Sequence, residues 1–575
     1  MLATRSKLVA VGGMRCWSRW MSGTKPDMFC FQCEQTKDAK GCTTLGVCGK
    51  TPEVAALQDL LVHACKGIGM YTYEAMKKGA KHDHKVDTFV KEALFSTLTN
   101  VDFDPDRFRS FLSQAMQMKE LSKQSFLSVG GSPLSGTAEW QFSPEKSSEE
   151  LKKEAESYGV LSRQEKYGQD VAGVQELIMY GLKGMAAYAD HAHVLGKEDP
   201  EVDKVIHEVL SELGKENKNL DQLLGLALKV GTTNITVMQN LDNSAVERYG
   251  HPTPTKVRTT AVTGKCILVS GHDLRDVENI LEQTEGTGIN VYTHGELLPA
   301  HGYPELKKYK HLVGNYGGAW QEQKLDFATF PGPIVMTTNC LIEPRKSYKN
   351  RLFTRGVVGW PGVKHIENYD FSEVVELAKA LPGFTKDEVE RTTMTGFGRN
   401  AVLSNAPKIL DLINKGKLNH FFLIGGCDGS EGERSYFKDL ALSTPKDSIV
   451  LTLGCGKYRF NKQFDKFGDI DGIPRMLDVG QCNDAFSAIQ IAVALAGALK
   501  TDVNSLPLSF AVSWFEQKAA AVLLSLLSLN VQKIYLGPRL PAFVSPAVLN
   551  VLVEKFNIRP TGVASEDLHK MLQNL

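Results

Sequence analysis

Four cysteines fall within 19 residues near the start of the chain, at Cys30, Cys33, Cys42 and Cys48, and they restrict the fold more than any other feature. Free thiols have no reason to cluster, so the spacing C-x2-C-x8-C-x5-C calls for a loop wound around one tetrahedral object. Zinc and an iron–sulfur cubane are the two physical candidates. A zinc ribbon would offer two C-x2-C knuckles, and this segment has one. A thioredoxin-type C-x2-C would follow a strand of a βαβ unit, and nothing before Cys30 supplies it. The chain has eleven cysteines in 575 residues, far below a disulfide scaffold, and none between Cys65 and Cys266. Cys65, beside Leu60, Leu61 and Val62, reads as a core residue.

From about Pro52 to Leu241 the apolar residues recur at helical spacing, as in Val174, Leu177, Ile178, Leu182, Met185 and Tyr188. This region predicts helical bundles. The pattern changes at His251-Pro252-Thr253-Pro254. Short apolar runs then end in Gly or Asn and give way to helical periodicity: 266–270, 290–293, 334–338, 421–424, 449–453 and 533–536. Such alternation predicts parallel sheets of Rossmann-like type. A helical break between about Phe371 and Lys417 divides them into two domains. The expected fold is therefore a multidomain α plus α/β chain. Its parts are an N-terminal extension over 1–27, a helical-bundle domain over 28–250 carrying the cysteine motif, and α/β domains over 251–404 and 405–575.

Six groups that can bind metal sit just past predicted strands: His272, Glu296, Cys340, Cys427, Cys455 and Cys482. In open α/β sheets ligands bind beyond the carboxyl ends of the strands, so six donors at equivalent ends converge if the two sheets face each other. Each residue alone has a plainer reading. A cysteine at a strand end is usually a small core residue, His272 could sit at a helix start, and Glu296 could be a first-turn acid. Six coincidences of position favour the shared site. Mixed sulfur, nitrogen and oxygen donors suit a cluster with oxygen-tolerant irons, whereas an all-cysteine cubane needs neither His nor Glu.

Lys plus Arg and Asp plus Glu both number 66, so the chain is neutral and offers no global electrostatic case for nucleic acid or an acidic membrane. Residues before Asp27 carry Arg5, Lys7, Arg15, Arg19 and Lys25 with interspersed serines and no acid, which predicts an organellar transit peptide with Met28 as a natural mature start. The organelle matrix, the mitochondrion first and a hydrogenosome or plastid as alternatives, is the expected location. No run reaches the ~18–20 apolar residues that span a bilayer. The best candidate, 488–499, reads as a buried helix.

Taken in order, these segments resemble the hybrid cluster protein family, also known as the prismane or hydroxylamine reductase family. The resemblance runs from Met28 to Leu575. It rests on the cysteine motif and on Gly271-His272-Asp273, Thr293-His294-Gly295-Glu296, Thr338-Asn339-Cys340, Gly425-Gly426-Cys427-Asp428-Gly429, Gly454-Cys455-Gly456-Lys457, Gly480-Gln481-Cys482-Asn483-Asp484 and Trp514-Phe515-Glu516-Gln517-Lys518. It implies a [4Fe-4S] cubane on Cys30, Cys33, Cys42 and Cys48. It implies a hybrid [4Fe-2S-2O]-type cluster on His272, Glu296, Cys340, Cys427, Cys455, Cys482 and Glu516, with a persulfide on Cys427. Glu516 enters only through the resemblance; by position it reads as a surface helix acid. The implied activity is that of an oxidoreductase, hydroxylamine reductase, which reduces hydroxylamine to ammonia and water with two electrons and two protons. Reduction of nitric oxide to nitrous oxide is the alternative, and a non-catalytic electron carrier or nitric oxide sensor is a third reading. The electron donor would be a ferredoxin or an NADH-dependent flavo-iron-sulfur reductase, and the chain would be a monomer. Lys518, two residues past Glu516, is a candidate proton donor, although on position alone it reads as a solvated helix lysine. Carbon monoxide dehydrogenase shares the architecture, but the Glu296/Glu516 pair argues against a nickel site.

Overall fold

The computed structural model describes residues 26–81, 83–216, 219–430 and 434–573. The basic segment, with Cys16 and the targeting expectation, lies outside the described residues.

Eight helices form the N-terminal region: α1 (Pro52–Lys77), α2 (His84–Ser96), α3 (Pro105–Ser128), α4 (Ser148–Ala155), α5 (Val160–Tyr167), α6 (Gln169–Val194), α7 (Pro200–Gly214) and α8 (Leu220–Tyr249). Their starts are chemically marked. The side chains of Thr51, Asp83, Asp104 and Asp199 accept first-turn N–H groups, and α1, α3 and α7 begin with proline, whose missing N–H costs nothing there. α1 packs on α3 and α7, and α6 packs on α8. Every residue of α6 from Val171 to Ala192 is buried, so this helix is enclosed on all sides. Cys65 lies fully buried in the same core, as its apolar context predicts.

Two six-stranded parallel sheets follow. The first contains β1 (Cys266–Ser270), β2 (Asn290–His294), β3 (Leu312–Asn315), β4 (Ile334–Met336), β5 (Leu352–Arg355) and β6 (Lys364–Ile366). Its spatial order is 3-2-1-4-5-6. The second contains β7 (His420–Gly426), β8 (Ser448–Leu453), β9 (Met476–Gly480), β10 (Leu508–Ser513), β11 (Ile534–Gly537) and β12 (Arg559–Pro560). Its order, 9-8-7-10-11-12, repeats the first. Both are doubly wound, with the strand order reversing between β1 and β4 and between β7 and β10, so each sheet has a crevice at the carboxyl ends of those strands. The expected fold class is the observed one. Within the predicted helical break, Thr392–Thr395 forms a strand that pairs antiparallel with Thr255–Arg258.

Two helices join the second sheet to the rest. α9 (Ala485–Leu499) follows β9, and α10 (Gln517–Ser528) follows β10 and packs between α6 and α8. The expectation of a buried helix at 488–499 needs correction. With the turn before it, α9 forms an 18-residue apolar window from Cys482 to Leu499 that is long enough to cross a membrane, yet only half of it is buried. Cys482 stands at its start and Ala485, Phe486, Ala488 and Ile491 lie in the main core, which makes this the half-covered core helix of an α/β layer.

Candidate functional site

The cysteine motif folds as an irregular loop ahead of α1. Cys30 and Cys42 exchange backbone hydrogen bonds, Cys30 N–H to Cys42 O at 3.1 Å and the reverse at 2.8 Å, which brings the two halves of the loop together. Cys33 feels Cys48, Cys30 and Cys42, so all four sulfurs share one neighbourhood. Burial, then the charges of those neighbours, pushes the Cys33 thiol well above its ordinary range. Lys50 Nζ lies 3.8 Å from Cys30 Sγ, the one cation in direct contact with the group among the described residues.

The second constellation is built from strand ends. His272 follows β1, Glu296 follows β2 and Cys340 follows β4, while Cys427 follows β7, Cys455 follows β8, Cys482 follows β9 and Glu516 follows β10. The two crevices face each other. Cys482 Sγ lies 3.4 Å from His272 Nε2, and the Cys482 amide donates to Glu296 Oε2 at 2.8 Å. Gln481 Nε2 spans the same junction, donating to the carbonyls of His272 at 3.1 Å and Glu296 at 2.6 Å. The donor atoms of His272, Glu296 and Cys482 all fall within 4.8 Å of one another. Cys340, Cys427, Cys455 and Glu516 close the ring: Cys427 feels Cys455, Glu516 and Cys340, and Cys482 feels Glu296, Glu516 and Cys455. All seven are buried.

The backbone is shaped for this crowding. A side chain on Gly426, at φ 113°, would meet the carbonyl of Ser513 at 2.4 Å, and one on Gly454, at φ 72°, would meet the carbonyl of Gly426 at 2.6 Å. Only glycine lets β7, β8 and β10 deliver their donors side by side. Cys340 has no such freedom, yet it sits at φ 79°, a left-handed conformation that a non-glycine residue holds only when its surroundings enforce it. The strain falls on a cysteine aimed into the ring.

The electrostatics also suit a positive occupant. Burial first, and then neighbouring sulfur and carboxylate charge, pushes Cys340, Cys427 and Cys482 well above the ordinary thiol range. Burial raises Glu296 and Glu516 as well. Burial and the Lys518 ammonium hold His272 well below its ordinary value, which leaves its ring nitrogen free to bind a metal. Glu296 Oε1 is buried without a hydrogen-bond partner among the described residues. A metal cluster offsets such a set of donors and gives that oxygen a partner. The residues fit an iron–sulfur group.

Lys518 is not the solvated lysine its position suggested. It is fully buried, donates to Asn339 Oδ1 at 2.8 Å and lies 3.2 Å from His191 Nε2. His191 Nδ1 faces Asp273 Oδ1 at 2.8 Å, so the imidazole donates to the carboxylate and turns a lone pair toward the ammonium. Asp273 is the least buried of the three, at 13% side-chain exposure. His191 carried no sequence signal, being one polar residue on a helix enclosed by core. Glu516 did carry one. The run Leu508–Ser513 alternates large apolar residues with small ones, and reading it as a strand places Glu516 at a strand end like the other six. Glu516 is 1% exposed, which corrects its reading as a surface acid.

The two constellations touch. The Glu34 amide donates to the Phe515 carbonyl at 3.0 Å, and Gln517 Nε2 donates to the Gln32 carbonyl at 2.6 Å. One hydrogen bond therefore connects the residue after Cys33 to the residue before Glu516.

Comparison with known proteins agrees with this architecture. A hydroxylamine reductase of Thermodesulfovibrio yellowstonii is 52% identical over 550 residues, covering 95% of this chain and all of that protein. One of Acidiphilium cryptum is 52% identical over 552 residues, covering 94% of this chain and 98% of its own. Among solved structures, the Ni-free carbon monoxide dehydrogenase of Thermococcus sp. AM4 superposes with a TM-score of 0.54 at 17% identity, over 97% of this chain and 93% of that one. Carbon monoxide dehydrogenase IV of Carboxydothermus hydrogenoformans gives 0.54 at 15% identity, over 97% and 94%. These two share the fold. The family model described as Prismane/CO dehydrogenase matches residues 28–569, and the chain belongs to that family.

Proposed function

We propose that this protein is an iron–sulfur oxidoreductase that reduces hydroxylamine to ammonia and water, consuming two electrons and two protons. The observation that carries the reading is the ring of seven buried donors at the facing carboxyl ends of two sheets, with a buried lysine whose charge is felt by His272, Glu296, Cys340, Cys482 and Glu516. The relatives at about half identity that are named hydroxylamine reductase support the same activity.

Iron–sulfur clusters are the cofactors that family membership implies. Cys30, Cys33, Cys42 and Cys48 would hold a [4Fe-4S] cubane. His272, Glu296, Cys340, Cys427, Cys455, Cys482 and Glu516 would hold a hybrid [4Fe-2S-2O]-type cluster, with Cys427 as a persulfide. When bound, that cluster supplies a Lewis-acidic position for the nitrogen–oxygen bond and a store of electrons. The protein supplies the rest. Lys518 Nζ holds a proton beside the ring, aimed by Asn339 Oδ1. His191, oriented by Asp273, can replace that proton from the more exposed side. Burial of all seven donors excludes bulk water, so a proton arrives only through placed groups. The link between Glu34 and Phe515 is a short covalent and hydrogen-bonded path for electrons from the first constellation to the second.

Electrons would enter from a reduced ferredoxin or a flavo-iron-sulfur reductase, with the chain acting as a monomer. The matched region begins at residue 28, beyond the basic segment, and the organelle matrix is the location we propose. The test is an anaerobic assay of iron-loaded protein with a reduced dye and hydroxylamine. Stoichiometric ammonia supports the reading. Nitrous oxide from nitric oxide with no ammonia would replace it with the nitric oxide reductase reading, and turnover of neither substrate would leave an electron carrier or sensor.

A further inference from the structure

A polar cavity of about 50 Å³ lies beside Cys30, between the cysteine loop and helices α1, α5 and α6. Organic cofactors need ~300 Å³ or more, so none fits. The space accepts a few water-sized groups, at ~10–15 Å³ each. Its walls are charged where buried helices are normally apolar. α6 turns Glu176 and Lys183 into it from positions two turns apart on one face, and α1 does the same with Asp59 and Lys66. Arg163 of α5 and Lys50 of the cysteine loop complete the lining.

Four cations therefore face two carboxylates, and two of the cations are already committed. Arg163 pairs with Glu176 at 2.5 Å. Lys50 lies against Cys30 Sγ at 3.8 Å and donates to Gln58, so it serves the cysteine loop. Lys183 has only a 3.5 Å contact with Gln32 Oε1 and a cation–π approach of 5.8 Å to Tyr180 among the described residues. Lys66 and Asp59 have no hydrogen bond or ion pair among the described residues. Burial, and next the charge of Arg163, lowers Lys66 to about 7, while burial raises Asp59 to about 6. Asp59 and Glu176 act on the Lys66 and Lys183 ammoniums without a direct ion pair to either among the described residues, and an ammonium compensated only at a distance is costly to hold in a cavity. Two uncommitted ammoniums and one carboxylate leave room for one negative charge in the cavity.

We propose that this cavity binds one small inorganic monoanion, of halide or nitrite size, held between the ammonium groups of Lys66 and Lys183. Asp59 on the same wall disfavours a dianion. The cavity volume disfavours an organic carboxylate.

The experiment uses crystals of the iron-loaded protein grown without halide, soaked in bromide and measured at the bromine absorption edge. One anomalous peak within hydrogen-bond reach of Lys66 Nζ and Lys183 Nζ is expected, and it should vanish in Lys66→Met. In solution, nitrite replacing a bulky organic carboxylate salt at fixed ionic strength should raise the thermal midpoint of the wild type in a saturable way. The midpoint of Lys66→Met should not respond, although that variant loses only a part-buried charge without a direct ion pair and keeps its fold. Bromide found only at the surface, a peak that persists in the variant, or equal responses of the two midpoints would overturn the proposal. If the lysines serve only to offset charge on the cysteine loop, bromide leaves the cavity empty and Lys66→Met shifts only a reduction potential, which also overturns it. Iron and sulfide counts on the same batch keep this result separate from the fate of the hydroxylamine reading.

Discussion

Lys518→Met is the sharpest test of how the centre handles protons. The side chain is fully buried and its ammonium has two identified neighbours, Asn339 Oδ1 at 2.8 Å and His191 Nε2 at 3.2 Å. Methionine keeps the length and the contacts with Phe95 and Tyr188, over whose rings the ammonium lies at 5.2 and 5.7 Å. The structural effect is small because two terms oppose. Leaving the Asn339 oxygen unpartnered costs ~1–3 kcal/mol, and removing a buried charge that no carboxylate contacts directly, although Glu296 and Glu516 feel it, returns a similar amount. A positioned general acid contributes ~10²–10⁴-fold, which at ~1.36 kcal/mol per tenfold is ~2.7–5.4 kcal/mol of barrier. The expected result is a fall of that size in kcat for ammonia formation, with iron content, sulfide content and the spectrum of the reduced protein unchanged. Lys518→Arg, which keeps a cation but cannot release a proton near neutral pH, should be nearly as slow. Wild-type rates within threefold in Lys518→Met would refute the assignment, and so would loss of iron, which would make Lys518 a structural support of the ring.

Three further outcomes are expected. Cys30→Ala should remove the iron of the cysteine loop and slow electron delivery while the iron of the second constellation stays bound, as counted by iron analysis and electron paramagnetic resonance; loss of all iron would contradict two separate sites. Cys340→Gly should be more stable than Cys340→Ala by ~1 kcal/mol and unfold at a higher temperature, because glycine accepts φ 79° without strain, and the reverse order would show that the left-handed backbone is not a burden. Burial pushes the Asp102 carboxyl up to about 7, against the opposing charge of Arg107. A folded-state value above the unfolded ~3.9 means the fold prefers the protonated acid, so the stabilisation from this group is full below pH ~4 and lost as pH rises through about 7. Asp102→Asn should therefore gain thermal stability over the wild type between pH 5 and pH 8, and a constant difference across that range would contradict the assignment.

The parts of this molecule that were legible in its sequence are those where spacing alone carries the constraint. The four clustered cysteines announce a shared ligand, and the apolar runs ending in Gly-Cys or Gly-His announce strand ends. The strand order within each sheet was not legible, because it depends on which crossover packs where, and no local pattern encodes that. Nor was the facing of the two crevices. It depends on contacts such as those of Gln481 with His272 and Glu296, residues far apart in the chain. Glu516 and Lys518 were misjudged in isolation for one reason. They open a helix, where acids and lysines are usually solvated, but α10 is driven between α6 and α8 and its first turn is buried with it. His191 shows the converse limit: on an enclosed helix a functional histidine and a merely satisfied one have the same neighbours in sequence.

The contact between the Gln32–Glu34 segment and the Phe515–Gln517 segment also sets a clock for biosynthesis. Gln32 and Gln517 are 485 residues apart. At ~5–20 residues per second a ribosome needs about 25–100 s to travel that distance, and for all of that time the cysteine loop lacks the partner that fixes its carbonyl. The strand-end donors emerge one by one over the second half of the same interval, and α10 arrives after the last of them. A nascent chain therefore presents exposed, reactive thiols long before either constellation can close. Neither constellation can close fully until nearly the whole chain has been made. A chain cut short before Trp514 would lose the bracket on its first cysteines together with the last donor of the ring.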